Sequence, residues 1–471
     1  MEFTSWKFIL FILISFVLFH GVRKNSWRRG IFFLMNLTFC ASFFESWQTA
    51  CPLIIFLSAS YLALVGLKRW PSKALLIGVI LAAVFFFAYL KQYNFLTALP
   101  KWPQVYSVIG LSYILFRVLH LFIDTAEGTL AETPSLFNYL NYSLNMFCFV
   151  SGPIEKYLEL HKQEAMFDQI LLEQRAVAKA FVRIINGYFK VAVVSAYCKG
   201  LLDYFAAQPL SSFFISYATL AYTFFLFFNF SGYMDIVIGF GSFFGFEISE
   251  NFNRPFLAGN FIEFWARWHM TLSNWFRAYL FNPIVKFLVQ RYENRTLIPY
   301  YGVIGFFITF FAMGVWHGST IGLIYYGFLL GLAVSGNKLF EVKMRQQLGS
   351  QGFKELRTNT WYRLLAQSLT NAYFAYTLVW VWKETGALKV FLEAFSLSRH
   401  LQSFTICFLI FLTWNVVVLL LNRFRNLSPR LTQRFIQNIY LQNLGLGFRG
   451  FLIVIMVCRR EGLPEFIYKV F

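Results

Sequence analysis

The sequence predicts an all-helical protein that crosses a membrane many times. Three observations carry this. Of 471 residues, 58% are hydrophobic and 13% charged, against about 25% charged in a typical soluble protein. Phenylalanine alone occurs 61 times, more apolar surface than one soluble core absorbs, since such cores stop growing at roughly 250–300 residues. The apolar residues also come in long runs separated by short basic stretches, the pattern of spans and cytoplasmic loops. A soluble enzyme is excluded on these grounds.

The elements follow in chain order. Phe8–Phe19 is the first apolar run. Glu2 lies before it and no small-residue cleavage site follows, so it is expected to stay as a span. Further spans are expected at Ile31–Phe44, Pro52–Leu67, Leu75–Leu90 and Val105–Ile123. The basic loops Arg23–Arg29 and Lys68–Lys73 should face the cytoplasm and the Glu45 loop the outside, which puts the N-terminus outside. Leu136–Val150 ends in Ser151-Gly152-Pro153, a helix breaker. Glu155–Arg175 suits a surface helix, and Ala180–Phe205 is again apolar. Phe213–Phe246 is too long for one span, and its Gly232, Gly239, Gly241 and Gly245 suit close packing or a broken helix. Gly302–Gly336 is too long as well. Lys338–Arg363 reads as a basic cytoplasmic loop, followed by spans at Leu369–Trp382 and Phe404–Leu421, the basic Arg423–Arg434 and a last apolar piece, Gly447–Val457. The total is about eleven to thirteen membrane elements, partial ones included. They form a single membrane-embedded domain: N-terminal spans (1–135), a core (136–335), then the basic loop and C-terminal spans (336–471).

The net charge of +19 suits contact with anionic lipid or with an acidic soluble partner. Nucleic acid is not expected, because the basic residues are dispersed between apolar spans and build no continuous face. Cys40, Cys51, Cys148, Cys198, Cys407 and Cys458 are scattered without a CxxC pair and read as small core hydrophobes.

Polar residues within apolar sequence mark the candidate site, since burying them near hydrocarbon is costly. Asp235 follows Phe230-Ser231-Gly232-Tyr233. Its carboxylate either ties two helices through a cation or serves the site directly. Glu250-Asn251-Phe252-Asn253-Arg254-Pro255-Phe256 is a non-helical polar segment, because Pro255 pushes Arg254 out of helical geometry. Such backbone either lines a cavity or forms an interfacial loop. From Phe264 to Tyr279, a helical wheel puts Trp265, Trp268, Leu272, Trp275, Phe276 and Tyr279 on one arc. Arg267, Asn274 and Arg277 fall elsewhere, with His269 at the stripe's edge. An amphipathic helix of this kind lies at the interface or dips into the protein. In Met313-Gly314-Val315-Trp316-His317-Gly318, small neighbours let a second backbone or a substrate approach His317. Burial favours the uncharged imidazole, the form a general base needs. A buried helix–helix hydrogen bond is the competing role. Neither histidine has the close His, Cys or carboxylate company of a metal ligand, so no metal is expected.

Together these stretches resemble the membrane-bound O-acyltransferase family. The resemblance rests on Phe-Ser-Gly-Tyr at 230–233, Glu-Asn-Phe-Asn-Arg-Pro-Phe at 250–256, Phe-Trp-Ala-Arg-Trp-His-Met-Thr-Leu-Ser at 264–273 and Met-Gly-Val-Trp-His-Gly at 313–318, with Gly-Pro-Ile-Glu at 152–155. It covers roughly residues 140–335 and is strongest to the bacterial branch of teichoic-acid D-alanyltransferases and alginate-type polysaccharide O-acetyltransferases. Trp268–Tyr279 followed by Phe281-Asn282-Pro283 is more similar to the D-alanyl type, while Asn-Phe-Asn-Arg-Pro-Phe is shared by both.

The resemblance implies a ring of tilted transmembrane and re-entrant helices around a central tunnel, in the bacterial cytoplasmic (inner) membrane. It implies transfer of a D-alanyl or acetyl group from a thioester to a hydroxyl of an extracytoplasmic envelope polymer. His317 stands at the family's catalytic histidine and His269 at its second histidine. Asn253, Arg254, Arg267, Ser273, Arg277, Trp316 and Asp235 are expected to contact substrate, the arginines by holding a phosphate or alternatively by pairing with carboxylates. No bound cofactor is expected beyond the donor itself, an acyl carrier protein's phosphopantetheine or acetyl-CoA. The basic Lys338–Arg363 stretch either docks an acidic carrier or simply sets topology. Accessory envelope proteins are further expected partners. The competing classes are a transporter or flippase of an envelope precursor, which should show a repeated half-sequence, and an acyltransferase of the same family acting on lipid or protein.

Overall fold

The structure is a computed structural model that describes residues 3, 5–96, 98–100, 110–382, 396–427 and 439–458. The described chain is helical, with an isolated antiparallel bridge between Phe252 and Trp268. Six helices are long and apolar enough to cross a membrane: Trp47–Arg69, Lys73–Leu90, Ser212–Phe243, Ile298–His317, Ile321–Thr358 and the 397–423 stretch. The apolar helices Trp6–Gly21 and 444–456 are shorter. The chain divides into two compact units. One takes the described residues up to Gly187 together with Tyr233–Glu250, and the other takes Tyr188–Gly232 and the described residues from Asn251 onward.

In the first unit, Ser46 and Ser72 cap the Trp47–Arg69 and Lys73–Leu90 helices, each side chain accepting a hydrogen bond from the third backbone N–H that follows. Phe3, Phe8, Phe19, Phe32, Phe39 and Phe147 form a buried aromatic core, with edge-on packing such as Phe8 on Phe240 at 5.5 Å. Polar ties cross this core. Arg117 is fully buried and donates to the carbonyls of Tyr142 (2.9 Å) and Cys148 (2.8 Å). Glu155 accepts from the backbone N–H of Ser249 at 2.6 Å and from its hydroxyl at 3.0 Å. Arg28 is buried and donates to the carbonyls of Val22 and Phe167, while Arg29 faces Glu164 at 3.9 Å. The expected Arg23–Arg29 loop is thus shorter than the sequence suggested. Its last two arginines already belong to the Asn25–Ala41 helix and are drawn inward by carbonyls and a carboxylate.

Phe213–Phe246 left close packing or a broken helix open, and Ser212–Phe243 is one unbroken helix of 32 residues. Its glycines serve approach: a Cβ on Gly239 would stand 3.0 Å from the Ala180 carbonyl oxygen and 2.5 Å from the Ile184 side chain. Two expectations are corrected. Lys338–Arg363 was expected to be a loop, yet the Ile321–Thr358 helix runs through most of it, bending at Gly349, and Thr360–Thr377 starts the next helix. Lys, Met, Arg, Gln, Leu and Glu are strong helix formers, so charge alone did not argue for a loop. The single amphipathic helix expected from Phe264 to Tyr279 is two short helices, Phe261–Trp265 and Met270–Phe276, followed by a wide turn at Arg277–Phe281. By contrast, Gly302–Gly336 divides as its length required, at Gly318.

Candidate active site

The site residues of the second unit are assembled by two polar segments locked to each other. The N–H of Asn253 donates to the Arg267 carbonyl at 2.9 Å, and the N–H of Met270 donates to the Asn251 carbonyl at 3.0 Å. Asn251 is fully buried. Its side-chain oxygen accepts from the N–H of Thr271 at 3.0 Å and from the Thr271 hydroxyl at 2.7 Å. Two non-glycine residues flank this bridge in the left-handed region, Arg254 at φ 48° and His269 at φ 44°. That conformation is strained for side chains with a Cβ and persists where surroundings over-determine it. Here the bridge supplies that restraint.

His269 therefore caps a short helix while its ring is buried. It is 3% exposed and meets Phe230 edge to face at 4.7 Å. Ser273 donates its hydroxyl to the Trp268 carbonyl at 3.3 Å and its N–H to the His269 carbonyl at 3.0 Å, which steadies the same turn. Lying outside the six long apolar helices, His269 has its pKa pushed well below the ordinary histidine range. Burial is the main cause and the charge of His317 the second. The two imidazoles are thus within electrostatic reach of one another.

His317 is the last residue of the Ile298–His317 helix. Its ring is partly buried, 4.6 Å from that of Trp316 and 6.2 Å from that of Tyr326. Its position is set by a glycine crossing. A Cβ on Gly314 would lie 2.1 Å from the Cα of Gly327, so the two backbones touch. No residue but glycine fits there.

The remaining expected residues are placed as follows. Arg267 pairs with Glu263 at 2.7 Å, and Glu263 also accepts from the N–H of Gly259. Asn253, Arg254 and Arg277 are exposed. Asp235 belongs to the first unit, where Arg183 holds it at 3.0 Å and Glu250 at 2.6 Å. Its carboxylate thus has the cationic partner that one reading of the sequence required. Sequence reasoning had not named Tyr326, and it named Thr271 and Phe230 only as members of longer motifs. Thr271 sits beside a named histidine, but only the pairing with Asn251 reveals its part. Among the described residues, no three His, Cys, Asp or Glu side chains gather as a metal site would.

The sequence pattern of the membrane-bound O-acyltransferase family matches residues 67–379, well over half of the chain. The chain belongs to the membrane-bound O-acyltransferase family. It is an acyltransferase, and its two histidine segments fall inside the matched region. It is 27% identical over 385 residues to the teichoic acid D-alanyltransferase of Bacillus subtilis (strain 168), covering 77% of this chain and 94% of that protein. It is 31% identical over 225 residues to a probable alginate O-acetylase AlgI of Pseudomonas aeruginosa, covering 46% of this chain and 40% of that one. With the peptidoglycan O-acetyltransferase of Helicobacter pylori it shares 33% identity over 221 residues, covering 45% and 40%.

Proposed function

We propose that this acyltransferase moves a short acyl group from a cytoplasmic thioester to a hydroxyl of an extracytoplasmic envelope polymer, in a bacterial cytoplasmic membrane, with His317 as general base. The observation that carries this is the pair of imidazoles. One, on His317, is partly accessible at a helix end beside a backbone crossing. The other, on His269, is buried and within its electrostatic reach.

His317 accepts the hydroxyl proton as the oxygen attacks the thioester carbonyl. The new C–O bond forms, the C–S bond breaks, and the sulfur leaves as a thiolate that takes up the proton. The thiolate leaves readily because a thiol is far more acidic than an alcohol. His269 orients the acceptor from a rigid cap. Trp316, Ser273, Asn253, Arg254, Arg267 and Arg277 line the approach, the exposed arginines meeting phosphate on donor or acceptor. No acylated enzyme residue is needed.

The D-alanyl reading is favoured over the acetyl one by coverage. The match runs through 94% of the Bacillus subtilis relative but 40% of the Pseudomonas aeruginosa acetylase. The donor is then a carrier protein whose phosphopantetheine holds D-alanine, and the acceptor a teichoic-acid-type polymer. The test is incubation of the purified protein in lipid with D-alanyl-carrier protein or acetyl-CoA and the candidate polymer. Ester on the polymer and free thiol should rise together with the D-alanyl donor. Thiol release from acetyl-CoA alone would reverse the choice, and release from neither donor would reject both.

A further inference from the structure

One cavity of the second unit has neither His269 nor His317 in its lining. It has a volume of about 640 Å³ and is lined by Glu263, Arg267, Glu341, Arg357, Tyr362 and Arg363, among others. Its charges do not cancel. Glu263 is taken by Arg267 at 2.7 Å, and Glu341 by Arg345 at 2.8 Å and Lys338 at 3.6 Å. Among the described residues, no carboxylate forms an ion pair with Arg357 or Arg363. Arg357 only lies over the Phe353 ring at 6.0 Å.

A second groove of about 500 Å³ adjoins this cavity, sharing Gly259, Asn260, Asn337, Phe340 and Tyr362 with it. Away from that shared edge the groove is apolar, with Phe261, Ala333, Gly336 and Phe408 on its walls. Leu365 and Leu369, 51% and 49% exposed, stand at its outer rim. The junction lies where the Ile321–Thr358 helix passes from its apolar to its charged half and where the exposed Trp361 stands. A tryptophan and a change from apolar to basic sequence mark a membrane interface.

We propose that the paired cavity and groove hold an anionic phospholipid of the adjoining leaflet, its phosphate between Arg357 and Arg363 and one acyl chain in the groove. Two uncompensated guanidiniums call for an anion, and an apolar trough continuous with them calls for a hydrocarbon tail. A phosphopantetheine arm satisfies the first requirement but leaves the trough exposed, so the lipid fits better. The two arginines it rests on, Arg357 and Arg363, have no role in the acyl-transfer reading, although Arg267 belongs to both sites.

The experiment uses the full chain, delipidated in detergent and titrated with phosphatidylglycerol or phosphatidylcholine of the same chains, with bound lipid counted by native mass spectrometry. Wild type should prefer phosphatidylglycerol by on the order of tenfold, as two basic groups near a lipid phosphate provide. The double variant Arg357→Gln/Arg363→Gln should lose that preference yet still bind both lipids. Gly336→Leu should weaken both lipids equally. Nothing lies within 4 Å of a Cβ at Gly336, so the new side chain fills the groove without straining the helix. An unchanged preference in the double variant, or unchanged binding in Gly336→Leu, overturns the proposal. So does binding of coenzyme A that needs the two arginines and ignores Gly336→Leu, which would make the cavity a donor site.

Discussion

Gly314 and Gly327 meet backbone to backbone, with room for no side chain between them: a Cβ on either would lie within 3 Å of the other's Cα. This contact fixes the end of the Ile298–His317 helix, and hence His317, against the next helix. Replacing Gly314 with Ala should push the helices apart, at a cost of about 1–3 kcal/mol for overpacking. Thermal unfolding should report the loss, and transfer activity should fall further than stability alone explains. Wild-type activity in Gly314→Ala would show that the crossing does not position the histidine.

His317→Ala, and separately His317→Gln, should lower polymer ester formation by about 10²–10⁴-fold, the usual worth of a positioned acid–base group. The melting temperature should change little, because the ring is only partly buried. Ester content equal to wild type in folded variant protein would end the general-base assignment.

Asn251→Ala removes the acceptor of both Thr271 donors. A buried donor left without its partner costs about 1–3 kcal/mol. The turn at His269 should loosen with it, so activity should drop while donor binding persists. Thr271→Val, which removes one of the two bonds, should do less harm. The same loss in both variants would mean that the backbone bond to Asn251 contributes nothing.

Asp235→Asn should weaken its pairing with Arg183. If the carboxylate acts through that pair, Arg183→Met should produce a similar stability loss and the double variant little more, while KM for the acceptor stays constant. A rise in KM with unchanged stability would instead place Asp235 at the substrate.

Glu164 supplies a pH test. It is 3% exposed, and burial pushes its carboxyl up to about 7 despite Arg29 nearby. The folded protein therefore keeps a proton that the unfolded chain, with an ordinary carboxyl near 4.5, has lost. Stability should fall as pH rises from 4.5 through 7, by at most on the order of 3 kcal/mol. Glu164→Gln should flatten that slope in melting temperature. An identical slope in variant and wild type would contradict the shifted carboxyl.

Much of the architecture was legible because apolar runs and caps are local signals. Trp47–Arg69 and Lys73–Leu90 contain the expected Pro52–Leu67 and Leu75–Leu90 runs. The two Trp-His pairs were legible for the same reason, as polar residues out of place. The break between Phe261–Trp265 and Met270–Phe276 was not. A helical wheel assumes unbroken helix, whereas the turn at His269 is held by a hydrogen bond to the Asn251 carbonyl and one from the Asn253 N–H, far from it in sequence. The glycines of Ser212–Phe243 left two readings open for a related reason. Sequence shows that a Cβ is missing but not whether the space serves a bend or a neighbour such as Ile184.

Arg117 bears on how the protein is made. Its guanidinium rests on carbonyls 25 and 31 residues further along the chain. When the Leu111–Ala126 segment first reaches the translocon, those acceptors lie further along the chain and have not arrived with it. An arginine at the centre of an inserting helix costs about 2.5–3.5 kcal/mol on the translocon scale. This segment should therefore wait at the translocon until Tyr142 and Cys148 arrive, entering the bilayer together with them rather than ahead of them.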